Sequence, residues 1–255
     1  MIIRFFLLQL FSMTYTKLIL SGGGVRALAH LGALSKLRET KLLKQIKTVV
    51  GISAGSLVAT AIVMGVPERA VYDTMMKVDM TGLRRTSVLS LMGQFGLDTG
   101  ARMLKFIRGF FTEHGFSSHI TFAQLHKISG LTLMIGASNV NDGSLYFFSH
   151  ETEPNCQVSH ALRMSCGIPF VFTMWNYNGQ CYVDGAVKDN FPIHMFGNEI
   201  EGHDTNEPEI LGINLREVCD RKPHPVSDFI DYADRIISMM ALSLDEKTMK
   251  NLPYN

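Results

Sequence analysis

Two apolar runs, each followed by a glycine-rich turn and then a helical segment, constrain the fold of this chain most strongly. The first run, 17–20, leads into three consecutive glycines, and the second, 48–50, leads into a turn that begins and ends with glycine. Further strand and helix patterns alternate along the chain. Strands that alternate with helices favour a mostly parallel sheet covered on both faces. The sequence therefore predicts an α/β fold, a three-layer α/β/α sandwich with a mostly parallel central sheet.

The chain is long enough for one large domain. It has 255 residues, of which 46% are hydrophobic and 18% charged, a balance that excludes disorder as the main state. No internal repeat or linker divides it. We therefore expect an apolar N-terminal extension over residues 1–16 and a single domain over residues 17–255, which closes with a long helix over 227–246.

The apolar N-terminal stretch ends near Phe11 and is too short to cross a bilayer, which requires about 20 residues. It contains Arg4 but no cleavage site of the A-x-A type follows it. We therefore expect a cytoplasmic protein or one peripheral to a membrane, with a signal peptide and secretion as the alternative.

Charge and cysteine content exclude other classes of function. The net charge is +1, from 24 basic and 23 acidic residues, so no basic excess supports binding to nucleic acid. The four cysteines have neither CxxC nor zinc-finger spacing. We predict free thiols and no metal site.

The pentapeptide Gly51-Ile52-Ser53-Ala54-Gly55 is a G-x-S-x-G sequence between a strand and an apolar helix. This strand–turn–helix context is the one in which the motif presents a nucleophile, because the glycines permit a sharp turn. The helix N-terminus behind the serine favours developing negative charge. Ser53 is the predicted nucleophile.

The earlier turn, Gly22-Gly23-Gly24 followed by Arg26, leaves backbone N–H groups uncovered, so that an oxyanion or a phosphate can approach them. Its spacing also satisfies the dinucleotide fingerprint G-x-G-x-x-G/A, with Ala27 at the last position. That fingerprint requires an acidic residue at the end of the next strand, where Gly51 stands instead. Nucleotide binding is therefore the weaker interpretation.

Asp184 follows a strand directly in Asp184-Gly185-Ala186, which makes it a candidate acid or base beside the serine. A histidine base remains an alternative, because His194, His203 and His224 follow Asp184 in the order Ser, acid, His. The 29 positions from Gly24 to Ser53 are too few for the elements that an α/β-hydrolase places between its oxyanion loop and its serine.

Together, the glycine loop, the serine turn and the Asp-Gly-Ala segment resemble the patatin-like phospholipases. The segment 159–169, which ends in Ile-Pro, and the segment 184–192 are also similar to that family, and the resemblance covers about 17–215. It implies a lipid acyl hydrolase that acts on phospholipids or other acyl esters and contacts a membrane surface transiently. It also implies catalysis without calcium or any other cofactor.

For the site, the resemblance implies a Ser53–Asp184 dyad without histidine. Backbone N–H groups of Gly22, Gly23, Gly24 and Ala54 would form the oxyanion hole, and Arg26 would order the loop or bind a substrate phosphate. A solvated aspartate, with a pKa of about 3.9, is a weak base, and burial increases its basicity.

One position departs from the family pattern. Ala27 stands where glycine is usual, so a positive φ there would distort the oxyanion loop. A non-catalytic lipid-binding protein on the same fold is a further alternative. Apolar residues over 83–111 are candidates for an acyl cleft or for core packing: Leu83, Leu89, Leu91, Met92, Phe95, Leu104, Phe106, Phe110 and Phe111.

Overall fold

The computed structural model describes residues 15–40, 42–77, 95–199, 209–215, 225–227, 231–232, 235–236 and 239. Most of the expected N-terminal extension and most of the closing helix expected over 227–246 lie outside the described residues, as do positions 83–92.

Strands and helices alternate over most of the described chain. The strands are β1 (Tyr15–Leu20), β2 (Thr48–Ile52), β3 (Gly96–Asp98), β4 (Thr132–Asn139), β5 (Leu145–Phe148), β6 (Phe170–Phe172), β7 (Trp175–Tyr177), β8 (Gln180–Asp184) and β9 (Glu209–Ile213). The α-helices are α1 (Leu28–Glu39), α2 (Ala54–Val63), α3 (Glu68–Met75), α4 (Ala101–Glu113), α5 (Phe122–Ser129) and α6 (Val158–Ser165). Short 3-10 turns occupy Gly24–Ala27, Leu42–Gln45, Gly185–Val187 and Ile193–Glu199.

The main sheet has seven strands in the order β7-β8-β4-β2-β1-β9, with β5 also paired to β4. Strands β9, β1, β2 and β4 are parallel neighbours, whereas β5, β7 and β8 are antiparallel to theirs. Strands β3 and β6 form a separate parallel pair. The prediction of an α/β fold with a mostly parallel central sheet is confirmed.

Strands β2 and β8 share one edge of β4 and meet there end to end. Ile52, the last residue of β2, pairs with Gly136 of β4, and Asp184, the last residue of β8, pairs with the next residue, Ala137. Strand β5 occupies the opposite edge of β4. Because β8 runs antiparallel to β2, their carboxyl ends face each other. This topology brings Ser53 to the end of the strand that carries the aspartate.

The two faces of the sheet bury different sets of side chains. Residues from all six described helices pack into one apolar cluster with Leu18 and Leu20 of β1. The intervening residue, Ile19, points to the other face and packs with Val50 and Phe191 in a smaller cluster. This alternation follows from the two-residue repeat of a strand. Within the described residues, no helix combines the length and apolarity that crossing a bilayer requires.

A buried arginine, Arg163, connects α6 to two neighbouring segments of the same chain. The Arg163 guanidinium donates hydrogen bonds to the carbonyl of Thr99, at 3.3 and 2.9 Å, and to that of Thr173, at 2.9 Å. It also lies over the rings of Phe172 and Trp175, 5.0 and 5.8 Å from their centroids. Burial lowers the pKa of Arg163 to about 10. The side chain thus joins α6 to the turn before α4 and to the segment after β6.

We expect Arg163→Ala to lower the free energy of unfolding by about 3 kcal/mol, because it leaves the Thr99 and Thr173 carbonyls without these donors and opens a cavity where the buried side chain lay. Urea unfolding followed by circular dichroism measures this loss. Lys105→Ala, which removes an exposed cation from α4, is the control and should change the free energy by less than about 0.5 kcal/mol. Equal losses for the two variants would contradict the role given to Arg163.

Candidate active site

Ser53 occupies a strained turn between β2 and α2. Its backbone has φ 50° and ψ −130°, a conformation that residues with a side chain rarely adopt. The glycine at the end of the motif is required by close packing, because a Cβ on Gly55 would collide with the carbonyl oxygen of Ser21. The turn therefore lifts the serine side chain out of the strand, directly before the first residue of a helix.

The side chains of Ser53 and Asp184 are in direct contact. The Ser53 hydroxyl donates a hydrogen bond to Oδ2 of Asp184 at 2.7 Å, so no residue lies between them. The other carboxylate oxygen, Oδ1, accepts the Ala186 N–H at 2.9 Å. The Ser138 hydroxyl donates to the Asp184 backbone carbonyl, also at 2.9 Å. The aspartate is buried and held at both its side chain and its backbone.

A neutral thiol lies close to this carboxylate. Burial raises the pKa of Cys166 to about 12, and the negative charge of Asp184 acts in the same direction. The sulfur is 3.9 Å from the Ser56 hydroxyl. Since the thiol stays protonated at neutral pH, it adds no second negative charge next to the aspartate.

The glycine loop lies against the serine. A Cβ on Gly22 would be 3.0 Å from the Cβ of Ser53 and would collide with the side chain of Asn190. The Gly22 N–H donates to the Asn190 carbonyl at 3.3 Å, so this predicted oxyanion donor already has an acceptor. No described residue accepts a hydrogen bond from the N–H of Gly23, Gly24 or Ala54.

The alanine that departs from the family pattern sits in ordinary backbone. Ala27 has φ −56° and ψ −17° and is fully buried at the start of α1. The positive φ of the loop falls on Gly24 instead, at 54°. Alanine therefore introduces no backbone strain at position 27.

Arg26 bonds to the loop that contains it. Its side chain is exposed, and Nε donates to the Gly23 carbonyl at 3.2 Å. Of the two roles expected for this residue, this contact matches ordering of the glycine loop.

Sequence reasoning missed His30, which forms a hydrogen bond with Ser21, the residue that precedes the glycine loop. This buried histidine on α1 donates from Nε2 to the Ser21 carbonyl at 2.9 Å, while its Nδ1 is buried and has no hydrogen-bond partner among the described residues. Burial lowers the pKa of His30 from its usual 6.5, and the bond to Ser21 offsets this only in part. The neutral imidazole therefore belongs to the folded state. The only signal in the sequence was a histidine on the buried face of a predicted helix.

The lowered pKa of His30 predicts that the free energy of unfolding decreases in acid. Because the pKa of His30 is lower in the folded chain, the unfolded chain binds its proton first as the pH drops below about 6.5. The free energy of unfolding should therefore be highest above pH 6.5 and fall as the pH approaches the lowered pKa. Below pH 6.5, the free energy of unfolding of wild type should fall more steeply with pH than that of His30→Gln, whose amide can still donate to Ser21. The two slopes should differ by up to about 1.4 kcal/mol per pH unit. Urea unfolding from pH 7.5 to 5 measures both slopes, and identical slopes would contradict the assignment.

Of the three histidines considered as bases, one lies among the described residues. His194 places Nδ1 3.4 Å from Oδ2 of Asp189, and its side chain is about half exposed, at 51%. It is thus paired with an aspartate other than Asp184. His203 and His224 lie outside the described residues.

Three of the residues that were candidates for an acyl cleft or for core packing line an apolar groove between helices. Phe106, Phe110 and Phe111 of α4 contribute to a groove against α2, α3 and α6. The other residues that line it are Leu57, Thr60, Val71, Thr74, Met75, Ile107 and Leu162.

Several known proteins are similar to this chain in sequence or in fold. Uncharacterized protein R571 of Acanthamoeba polyphaga mimivirus is 28% identical over 227 residues, which cover 84% of this chain and 72% of that protein. The protein named Probable lipid hydrolase 463L of Invertebrate iridescent virus 6 is 29% identical over 184 residues, or 71% of this chain and 63% of its own length. The crystal structure of VipD from Legionella pneumophila shares the fold, with a TM-score of 0.59 and 18% identity over 92% of this chain and 55% of that one. The family model for patatin-like phospholipase matches residues 18–196, and the chain therefore belongs to the patatin-like phospholipase family.

Proposed function

We propose that this chain is a lipid acyl hydrolase that cleaves the acyl esters of phospholipids or similar lipids through a Ser53–Asp184 dyad. The observation that carries the proposal is the 2.7 Å hydrogen bond from the serine hydroxyl to the aspartate, with the serine raised on a strained turn. A nucleophile and its base within hydrogen-bond reach are the signature of covalent catalysis. Membership of the family and a viral relative named as a lipid hydrolase support the same class of substrate.

In the proposed reaction, the Ser53 hydroxyl attacks the ester carbonyl as Asp184 accepts its proton. The resulting oxyanion receives hydrogen bonds from the N–H groups of Gly23, Gly24 and Ala54, which stabilise it more than the planar ester. Collapse of this intermediate breaks the ester bond, and Asp184 returns the proton to the departing alcohol. Water, deprotonated by Asp184, then attacks the acyl-serine; the bond from the acyl carbon to Ser53 Oγ breaks, Asp184 returns the proton to that oxygen, and the fatty acid leaves.

The neighbouring residues are assigned supporting roles. Gly22 keeps the loop close to Ser53 and anchors it through the Asn190 carbonyl. Arg26 orders the loop and presents an exposed cation beside the site for a substrate phosphate. The substrate enters from a membrane surface that the protein contacts transiently, and residues 17–255 act as one domain. Neither a nucleotide nor nucleic acid takes part.

Products from a mixed lipid panel test this function. Wild type and Ser53→Ala are incubated with phospholipids, lysophospholipids and acylglycerols in mixed micelles, and mass spectrometry identifies the products. We expect free fatty acid and the matching lysolipid or alcohol from wild type alone. Binding of lipid without any product would instead favour the non-catalytic lipid-binding protein.

The dyad requires no metal, so hydrolysis should survive excess EDTA. Among the residues that the structure describes, no group of three or more His, Cys, Asp and Glu side chains is arranged to hold a metal ion. The expected result is an unchanged initial rate after dialysis against EDTA, measured with the best substrate of the panel. A rate that falls with EDTA and returns with calcium would contradict a mechanism without metal.

A further inference from the structure

A second buried serine holds the backbone of Ser53. Ser165 is the last residue of α6 and is fully buried, at 0% exposure. Its hydroxyl accepts the Ser53 N–H at 2.9 Å and donates to the Gly136 carbonyl of β4 at 2.6 Å. The hydroxyl thus bridges the strained serine turn and the central strand beside it.

The same short segment also holds the aspartate. Two residues after Ser165, the carbonyl of Gly167 accepts the Asp184 N–H at 2.9 Å. The end of α6 therefore bonds to the backbone of both Ser53 and Asp184. Arg163, two residues before Ser165, in turn fixes α6 to the rest of the fold.

We propose that Ser165 is a positioning residue: its hydroxyl holds the Ser53 backbone in the elbow conformation that places Oγ on Asp184. This inference rests on the proposed function for its effect on turnover. Without the hydroxyl, the Ser53 N–H and the Gly136 carbonyl both lose a partner. The φ of 50° at Ser53 is then held by fewer contacts, and relaxation of the turn moves Oγ away from the carboxylate. Displacement of a reacting group by about 1 Å costs roughly 10²-fold in rate.

Helix α6 provides a matched control. Ser159 is equally buried, at 0% exposure, but its hydroxyl has no hydrogen-bond partner in the part of the chain that the structure describes. Ser159→Ala and Ser165→Ala therefore delete the same group at the same depth on one helix. They differ in whether that group contacts the serine turn.

The first test compares the kinetics of the two variants in the full chain. Ser165→Ala should lower kcat roughly 10²-fold with KM nearly unchanged, and it should slow fluorophosphonate labelling of Ser53 to a similar degree. Ser159→Ala should match wild type in both. Equal kcat values for the two variants, or a change in KM alone, would overturn the inference.

The second test does not depend on activity. Exchange of the Ser53 backbone amide with deuterated solvent, followed by ¹⁵N NMR, should speed up in Ser165→Ala and stay as in wild type in Ser159→Ala. If Ser165→Ala fails to fold, Ser165→Cys keeps the side-chain volume with a weaker acceptor and should show the faster exchange. A wild type without hydrolysis would overturn the proposed function, whereas unchanged exchange at Ser53 in the Ser165 variants would overturn the positioning role.

Discussion

Replacing Ser53 with alanine should abolish ester hydrolysis and leave the fold intact. The substitution removes the proposed nucleophile, so kcat should fall by at least about 10³-fold. The backbone turn at φ 50° is set by its surroundings, and alanine tolerates it no worse than serine. Loss of one side-chain hydrogen bond costs about 1 kcal/mol, so the unfolding midpoint should move by only about 2–4 °C.

A serine-reactive fluorophosphonate measures this result independently of the lipid chosen. Wild type and Ser159→Ala should be labelled at Ser53, as located by peptide mass spectrometry, and Ser53→Ala should not be labelled. Circular dichroism on the same samples shows that the variant is folded. Labelling of a different serine in wild type would overturn the assignment of the nucleophile.

Asp184→Asn should remove most of the activity, because an amide cannot take the proton of the Ser53 hydroxyl. Loss of a general base lowers the rate by roughly 10²–10⁴-fold. Asparagine has nearly the same shape, and its amide oxygen can keep the bond from the Ala186 N–H, so the fold should survive. Initial rates across pH 5–9 distinguish a lost base from a shifted optimum.

The histidines supply the control for this prediction. His194→Ala should retain activity, since His194 is paired with Asp189 and the serine contacts Asp184 directly. His203→Ala and His224→Ala should behave in the same way. A histidine variant that folds but is as inactive as Ser53→Ala would establish a Ser-His-Asp triad instead of the dyad.

Local features of the fold could be predicted from sequence because their causes are local. One example is the short distance along the chain between three features: the apolar strand that begins at Thr48, the glycine motif around Ser53, and the apolar helix that follows. The capping box of α5 is another case, in which the Thr121 hydroxyl accepts the Gln124 N–H and the Gln124 side chain accepts the Thr121 N–H. In each case neighbouring side chains determine the backbone.

Features that depend on distant contacts could not be predicted. Strands β3, β6 and β7 have three residues each, too few to show a two-residue repeat. The Gly22 N–H was expected in the oxyanion hole, but its bond to Asn190 joins segments far apart in the chain. The bonds from His30 to Ser21 and from Ser53 to Ser165 likewise arise only when the helices pack.

The end-to-end meeting of β2 and β8 on β4 limits where the chain can change in length. Ser53 and Asp184 are 131 positions apart, yet their strands end opposite two consecutive residues, Gly136 and Ala137. One residue inserted between these two would separate the strand ends by about 3.3 Å and reverse the inside–outside alternation beyond it. Loops elsewhere in the interval can lengthen without changing that spacing. Insertions introduced by evolution or by design should therefore accumulate in the loops and be absent from the middle of β4.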